Sequence, residues 1–221
     1  MVLTPLMAIS PVDGRYRSVS DPLADFFSEA ALIRYRVMIE VEYFSALCRL
    51  PLPELKAFPS RHQADLRALY QQFSLQDAER VKAIERETNH DVKAVEYFLK
   101  EKFEALGVAA YGEFIHFGLT SQDINNSALP LMLKDAWHQV VLPAIGIVAK
   151  RLMGRAKQWK DVAMLARTHG QPASPTTIGK EFYVFLQRID GQLDLLRQVP
   201  FSAKFGGAVG NFNAHHVAYP E

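Results

Sequence analysis

Apolar side chains in this chain return at steps of three and four and almost nowhere at steps of two. From Ser28 onward Leu32, Tyr35, Ile39, Tyr43, Ala46 and Leu50 fall on one face of a helix. Val92, Val95, Leu99, Phe103 and Leu106 repeat the pattern after Asp91. Ile178, Phe182, Phe185, Ile189, Leu193 and Leu196 repeat it after Thr177. Only "DVAMLAR", residues 161–167, reads as a strand. The spacing predicts an all-α protein whose second half packs long helices as a bundle. Bundle helices with apolar residues on more than one face bury the remainder against other subunits, which predicts a homo-oligomer.

Punctuation divides the pattern. Residues 1–20 read as irregular, with Pro5, Pro11 and the turn "PVDGR". Three prolines in "LPLPELKAFPS" interrupt the helices, and Ser60 and Ser74 are each the expected N-cap of a further helix. Glu96 one turn before Lys100 predicts an exposed ion pair. Gly107 is the expected stop of the helix opened by Asp91. We expect an N-terminal helical domain over 1–111 and a partial central bundle over 112–221. "TSQD", from Thr120 to Asp123, resembles a capping box, and Pro143 is expected to kink or divide the long helix behind it.

Composition excludes several function classes. About half of the 221 residues are hydrophobic, enough for a sizeable core. The net charge is +1 with both signs interspersed, which argues against nucleic acid as a partner. Apolar runs are too interrupted for a membrane span, and the first residues lack a signal-peptide pattern. The single cysteine, Cys48, reads as a small buried hydrophobe. These features predict a cytoplasmic protein.

Metal chemistry has little support. There is no cysteine pair and no HExxH, and the adjacent His215 and His216 diverge. "GGAVGN", residues 206–211, lacks the strand–turn–helix setting of a dinucleotide loop and reads as a structural turn. Three segments instead put polar residues at expected helix starts. They are Asn89, His90 and Asp91; His116, Thr120, Ser121 and Asp123; and His169, beside the turn residues Gly170, Pro172 and Pro175. Helix N-termini suit carboxylates and phosphates. Capping alone also accounts for the first two sets, and a structural histidine for the third.

Together "SPVDGRY", "ETNHDVKAVEYFLKEK", "FIHFGLTSQDINN" and "RTHGQPASPTTIGKE" resemble the adenylosuccinate lyases, bacterial type, of the fumarase/aspartase superfamily. The resemblance runs in order from about Ile9 to the last residues and is weakest near 50–75. It implies β-elimination: adenylosuccinate gives AMP and fumarate, and SAICAR gives AICAR and fumarate, without cofactor or metal. Such chemistry needs a base at an activated C–H, donors for a dianionic intermediate, and an acid for the departing nitrogen. An imidazole, with an ordinary pKa of about 6.5, suits the acid.

Carried over by motif, His169 is the general acid. Arg15 and Tyr16 grip the phosphate end. Asn89, His90 and Asp91 line the substrate, Thr120 and Ser121 hold a succinyl carboxylate, and His116 supports them. Gln122 stands where bacterial forms often have an acid. The family's loop of the form SSxMPxKxNP, to which the family's general base is ascribed, is not among these 221 residues. The chain is therefore expected to be an N-terminal fragment that supplies part of a site shared among the subunits of a homotetramer. Alternatives are a non-catalytic helical assembly module, or another fumarate-releasing member such as argininosuccinate lyase.

Overall fold

A computed structural model describes residues 6–220. Pro5 and the rest of 1–5, where the irregular N-terminus was expected to begin, lie outside the described residues. Turns carry the chain to Tyr16, and short helical turns come next at Arg17–Ser20, Asp21–Leu23 and Ala24–Phe27.

Helix α1, Glu29–Leu47, starts at Ser28, whose hydroxyl accepts the Ala31 amide at 3.1 Å. The face expected from sequence is not its core face. Only Tyr35 of that set is buried, while Ile33, Val37, Val41, Phe44 and Leu47 form the core. The reason is that α1 packs against three other helices: α2 (His62–Gln71), α3 (Leu75–Thr88) and α4 (Asp91–Ala105). A helix surrounded on several sides has no single apolar stripe to read.

Ser74 forms a full capping box with Asp77 at the head of α3. Ser60 is not a cap. Helix α2 is capped at Arg61 without a side-chain bond, because a backbone turn from Pro59 to His62 already supplies the entry. Helix α4 buries Val92, Val95, Leu99 and Phe103 as expected, and Gly107 (φ 72°) lies just past its end. The expected Glu96–Lys100 pair does not form. Glu96 is buried and takes Lys93 at 2.7 Å, while Lys100 reaches Glu113 at 2.7 Å.

The core joins Phe44 edge-on to Phe58 and Phe103 at 5.1 and 4.9 Å, and it continues through Val108 and Ile115. Packing therefore does not divide near residue 111. One compact unit runs to Asp135 and is completed by the segment from Ser202; the other is Ala136–Phe201.

In the first unit α5 (Ser121–Ala136) buries Ile124, Ala128 and Met132, one residue per turn. The second unit opens with a π-helical turn, Trp137–Val141, ahead of α6 (Leu142–Gln158). Pro143 sits in the first turn of α6, where it needs no amide donor, and the widened turn before it accommodates its ring.

Strand β1 (Ala163–Thr168) then pairs antiparallel with β2 (Gln171–Thr177), and α7 (Ile178–Arg197) comes after it. The second strand was not legible because it contains Pro172 and Pro175. In a sheet of two strands both are edges, where proline is tolerated. Helices α6 and α7 run in opposite directions. Trp159 meets Phe182 at one end (5.2 Å between rings), and Ile145 and Val148 line a groove with Leu193 and Leu196 at the other.

Gly179 allows the close approach at the root of the hairpin. Its amide donates to the Trp159 carbonyl at 2.9 Å, and a Cβ there would lie 2.6 Å from the Lys160 Cα and against the Ala156 carbonyl. Neither backbone can yield. Gly179→Ala is expected to destabilise this unit by about 1–3 kcal/mol, read as a lower urea midpoint at unchanged slope.

Candidate active site

Two helix starts converge in the first unit. At the head of α4, His90 is the cap: its Nδ1 accepts the Lys93 amide at 3.1 Å. That acceptor role puts the ring proton on Nε2, which faces the Ser121 hydroxyl at the head of α5, 3.4 Å away. Asn89 ends α3 in the left-handed region (φ 51°), a conformation asparagine tolerates, and this turns the chain sharply into His90. Asn89 and His90 are exposed. Asp91 is committed to the protein itself, accepting the Val92 amide at 2.9 Å and the Arg36 guanidinium at 2.6 Å. Burial opposes its ionisation, but Arg36 and the amide hold its carboxyl below the usual range.

At the other start, Thr120 is engaged with Asp123. The Thr120 amide and hydroxyl donate to Asp123 Oδ2 at 2.8 and 3.1 Å, so the hydroxyl donates where a standard capping box would have it accept. Asp123 is fully buried. Lys204 reaches Oδ1 at 2.8 Å, and the amides of Gly206 and Gly207 close around the carboxylate at 2.9 and 3.0 Å. Burial pushes its pKa up, but these donors prevail and hold it down at about 2. "GGAVGN" is thus a turn, as its sequence setting indicated, and two of its amides are occupied by this chain's own Asp123.

His116 lies on the loop between these parts, in the left-handed region (φ 57°). Its Nδ1 is 2.6 Å from Glu40, a side chain with no exposed surface. Burial favours the neutral ring, but Glu40, with Glu96 behind it, raises its pKa above the ordinary value. Burial raises the pKa of Glu40 as well, while its contact with His116 opposes that rise.

The Arg15 guanidinium lies over the Tyr16 ring at 5.5 Å, and both are exposed. No hydrogen bond or ion pair among the described residues ties them to 89–91 or 120–121. His169 belongs to the second unit. It sits with Gly170 at the tip of the β1–β2 hairpin, at φ 51° and 75°, which is the two-residue turn that demands positive φ twice. The corner expected before a helix is thus a hairpin tip, and its ring is exposed. His215 packs edge-on against Phe117 (5.7 Å) and meets the Tyr43 hydroxyl at 2.7 Å. Among the described residues no group of three or more His, Cys, Asp or Glu is placed to hold a metal ion. No helix among them is long and apolar enough to cross a membrane.

Arg36, Glu40 and Lys204 were missed at the sequence level. For Arg36 and Glu40 the available signal was a pair of opposite charges four residues apart on one helix.

Comparison with known proteins adds the family. The profile described as "Lyase" matches residues 14–221. Adenylosuccinate lyase of Dictyostelium discoideum is 51% identical over 99% of this chain and 48% of its own length. That of Escherichia coli K12 is 48% identical over 100% of this chain and 49% of its own. The chain spans about half the length of the curated relatives it matches. Among solved structures, a fumarate lyase from Mesorhizobium sp. BNC1 superposes with a TM-score of 0.70 at 25% identity, covering 88% of this chain and 44% of that one. A 3-carboxy-cis,cis-muconate lactonizing enzyme from Pseudomonas putida, at 22% identity and a TM-score of 0.67, shares the fold.

Proposed function

The chain belongs to the lyase family, and on that premise we propose that it carries the acid and substrate-holding segments of an adenylosuccinate lyase. The reaction is cleavage of adenylosuccinate to AMP and fumarate, and of SAICAR to AICAR and fumarate. A base takes the proton next to a carboxylate, that electron pair forms the fumarate double bond, and the C–N pair leaves on nitrogen, where an acid protonates it. His169 is the acid in this reading. The base is not assigned to any residue of this chain.

The observation that carries the reading is the meeting of His90 and Ser121 across 3.4 Å, which brings two helix N-termini together. Two positive dipole ends suit the dianionic succinyl group. Ser121 holds one carboxylate at the head of α5, Thr120, whose amide and hydroxyl are given to Asp123, shapes the turn beside it, and Asn89 and His90 line the substrate. Asp91, taken up by Arg36, shapes that wall. His116 supports it from the loop behind, and Arg15 and Tyr16 bind the phosphate end, where a guanidinium grips two oxygens at once. The active enzyme is a cytoplasmic homotetramer whose sites combine segments from several copies, and it acts on small molecules without a cofactor.

The test is a substrate panel on the protein at the full length of its relatives. Loss of adenylosuccinate and SAICAR is followed by absorbance, with argininosuccinate and malate as controls. Turnover of the first two alone is expected. A folded tetramer that leaves adenylosuccinate intact, or that prefers argininosuccinate, overturns the proposal.

A further inference from the structure

Among the polar side chains of helix α1, Arg36, Glu40 and Tyr43 are spaced by four and three residues along one face. Each reaches a different segment around the candidate site. Arg36 donates to Asp91 at 2.6 Å and to Asn125, in the first turns of α5, at 2.9 Å, so one guanidinium spans both helix starts. Glu40 holds His116 Nδ1 at 2.6 Å. The Tyr43 hydroxyl donates to the Phe117 carbonyl at 2.6 Å. The loop so pinned has two left-handed positions, His116 (φ 57°) and Gly118 (φ 69°), and it leads directly into Thr120 and Ser121.

Stability does not account for this stripe. Arg36 and Glu40 are buried at 6% and 0% exposure, and buried ion pairs are often replaced by apolar side chains without loss of stability. Apolar side chains there would leave His116 in a conformation that costs a non-glycine residue energy, without its Glu40 partner.

We propose that Arg36 and Glu40 are positioning residues, which set the register between the His90 and Ser121 segments without touching substrate. The inference rests on the reading that those segments hold substrate. A displacement of about 1 Å at a reacting group costs on the order of 100-fold, so the register is worth holding.

The test is a double-mutant cycle in the full-length protein with E40Q, which keeps the shape and removes the charge, and S121A. E40Q is expected to lower kcat/KM about 10-fold to 100-fold with the oligomer intact. The double variant should lose little beyond S121A alone, because Glu40 acts through the loop that places Ser121. Additive losses would overturn the proposal, since independent sites add. Y43F, which removes one hydroxyl, enters the same cycle if E40Q does not fold. Amide exchange gives a readout separate from activity. Exchange over 115–121 should rise in E40Q while that of α3 stays as in the wild type; no change at 115–121 also overturns the proposal. If the wild type does not cleave adenylosuccinate, the functional reading falls, and exchange still decides the positioning role.

Discussion

His169→Asn in the full-length protein is expected to lower adenylosuccinate turnover by about 10²- to 10⁴-fold, the range a lost general acid costs. Asparagine is the informative replacement because His169 occupies the left-handed region at the hairpin tip. Asparagine accepts that conformation more readily than most residues, so the turn survives while the proton donor is removed. His169→Ala removes both and should additionally loosen the hairpin. Single-turnover assays on adenylosuccinate, alongside circular dichroism and sedimentation, separate these effects. Near-normal turnover in the asparagine variant would reject the acid role.

Asp123→Asn is expected to destabilise the first unit by about 3–5 kcal/mol, the cost of breaking a buried charge pair. Lys204, the Thr120 amide and the amides of Gly206 and Gly207 all point at the carboxylate, and an amide group cannot accept from all of them. The pH dependence supplies a second check. The folded pKa is depressed to about 2 from 3.8. The stability contributed by ionised Asp123, about 2 kcal/mol, is present in full above the unfolded value and is lost as pH falls through the folded one. The gap between urea melts of wild type and variant should therefore narrow by about 2 kcal/mol as the pH drops from about 4 to 2. A gap that stays constant over that range would show that the carboxylate is not the group responsible.

The same residue shows where a sequence reading stops. "TSQD" was recognisable as a helix start, and "GGAVGN" as a turn, but their partnership joins residues 123 and 206 through bonds that no local pattern encodes. Hydrophobic spacing likewise placed α1, α4 and α7 along the chain, yet it named the wrong face of α1, because a helix packed on several sides loses the asymmetry that periodicity detects. The hairpin was half visible. Its first strand alternates, whereas its second is disguised by two prolines that only an edge strand accepts.

The sequence by itself determined the local choices: helix over strand, the Ser28 and Ser74 caps, the stop at Gly107, and the ordered motifs by which the family is recognised. Those depend on propensity, capping and spacing, which act within a turn or two of the chain. Tertiary structure alone decided which polar residues meet. His90 faces Ser121, Arg36 spans Asp91 and Asn125, Glu40 holds His116, and the glycine-rich turn closes on Asp123. Apart from the exposed His90–Ser121 contact, such pairings arise from burial, where a charge or donor must find a partner wherever the packing brings one. Spacing along the chain carries no record of that demand.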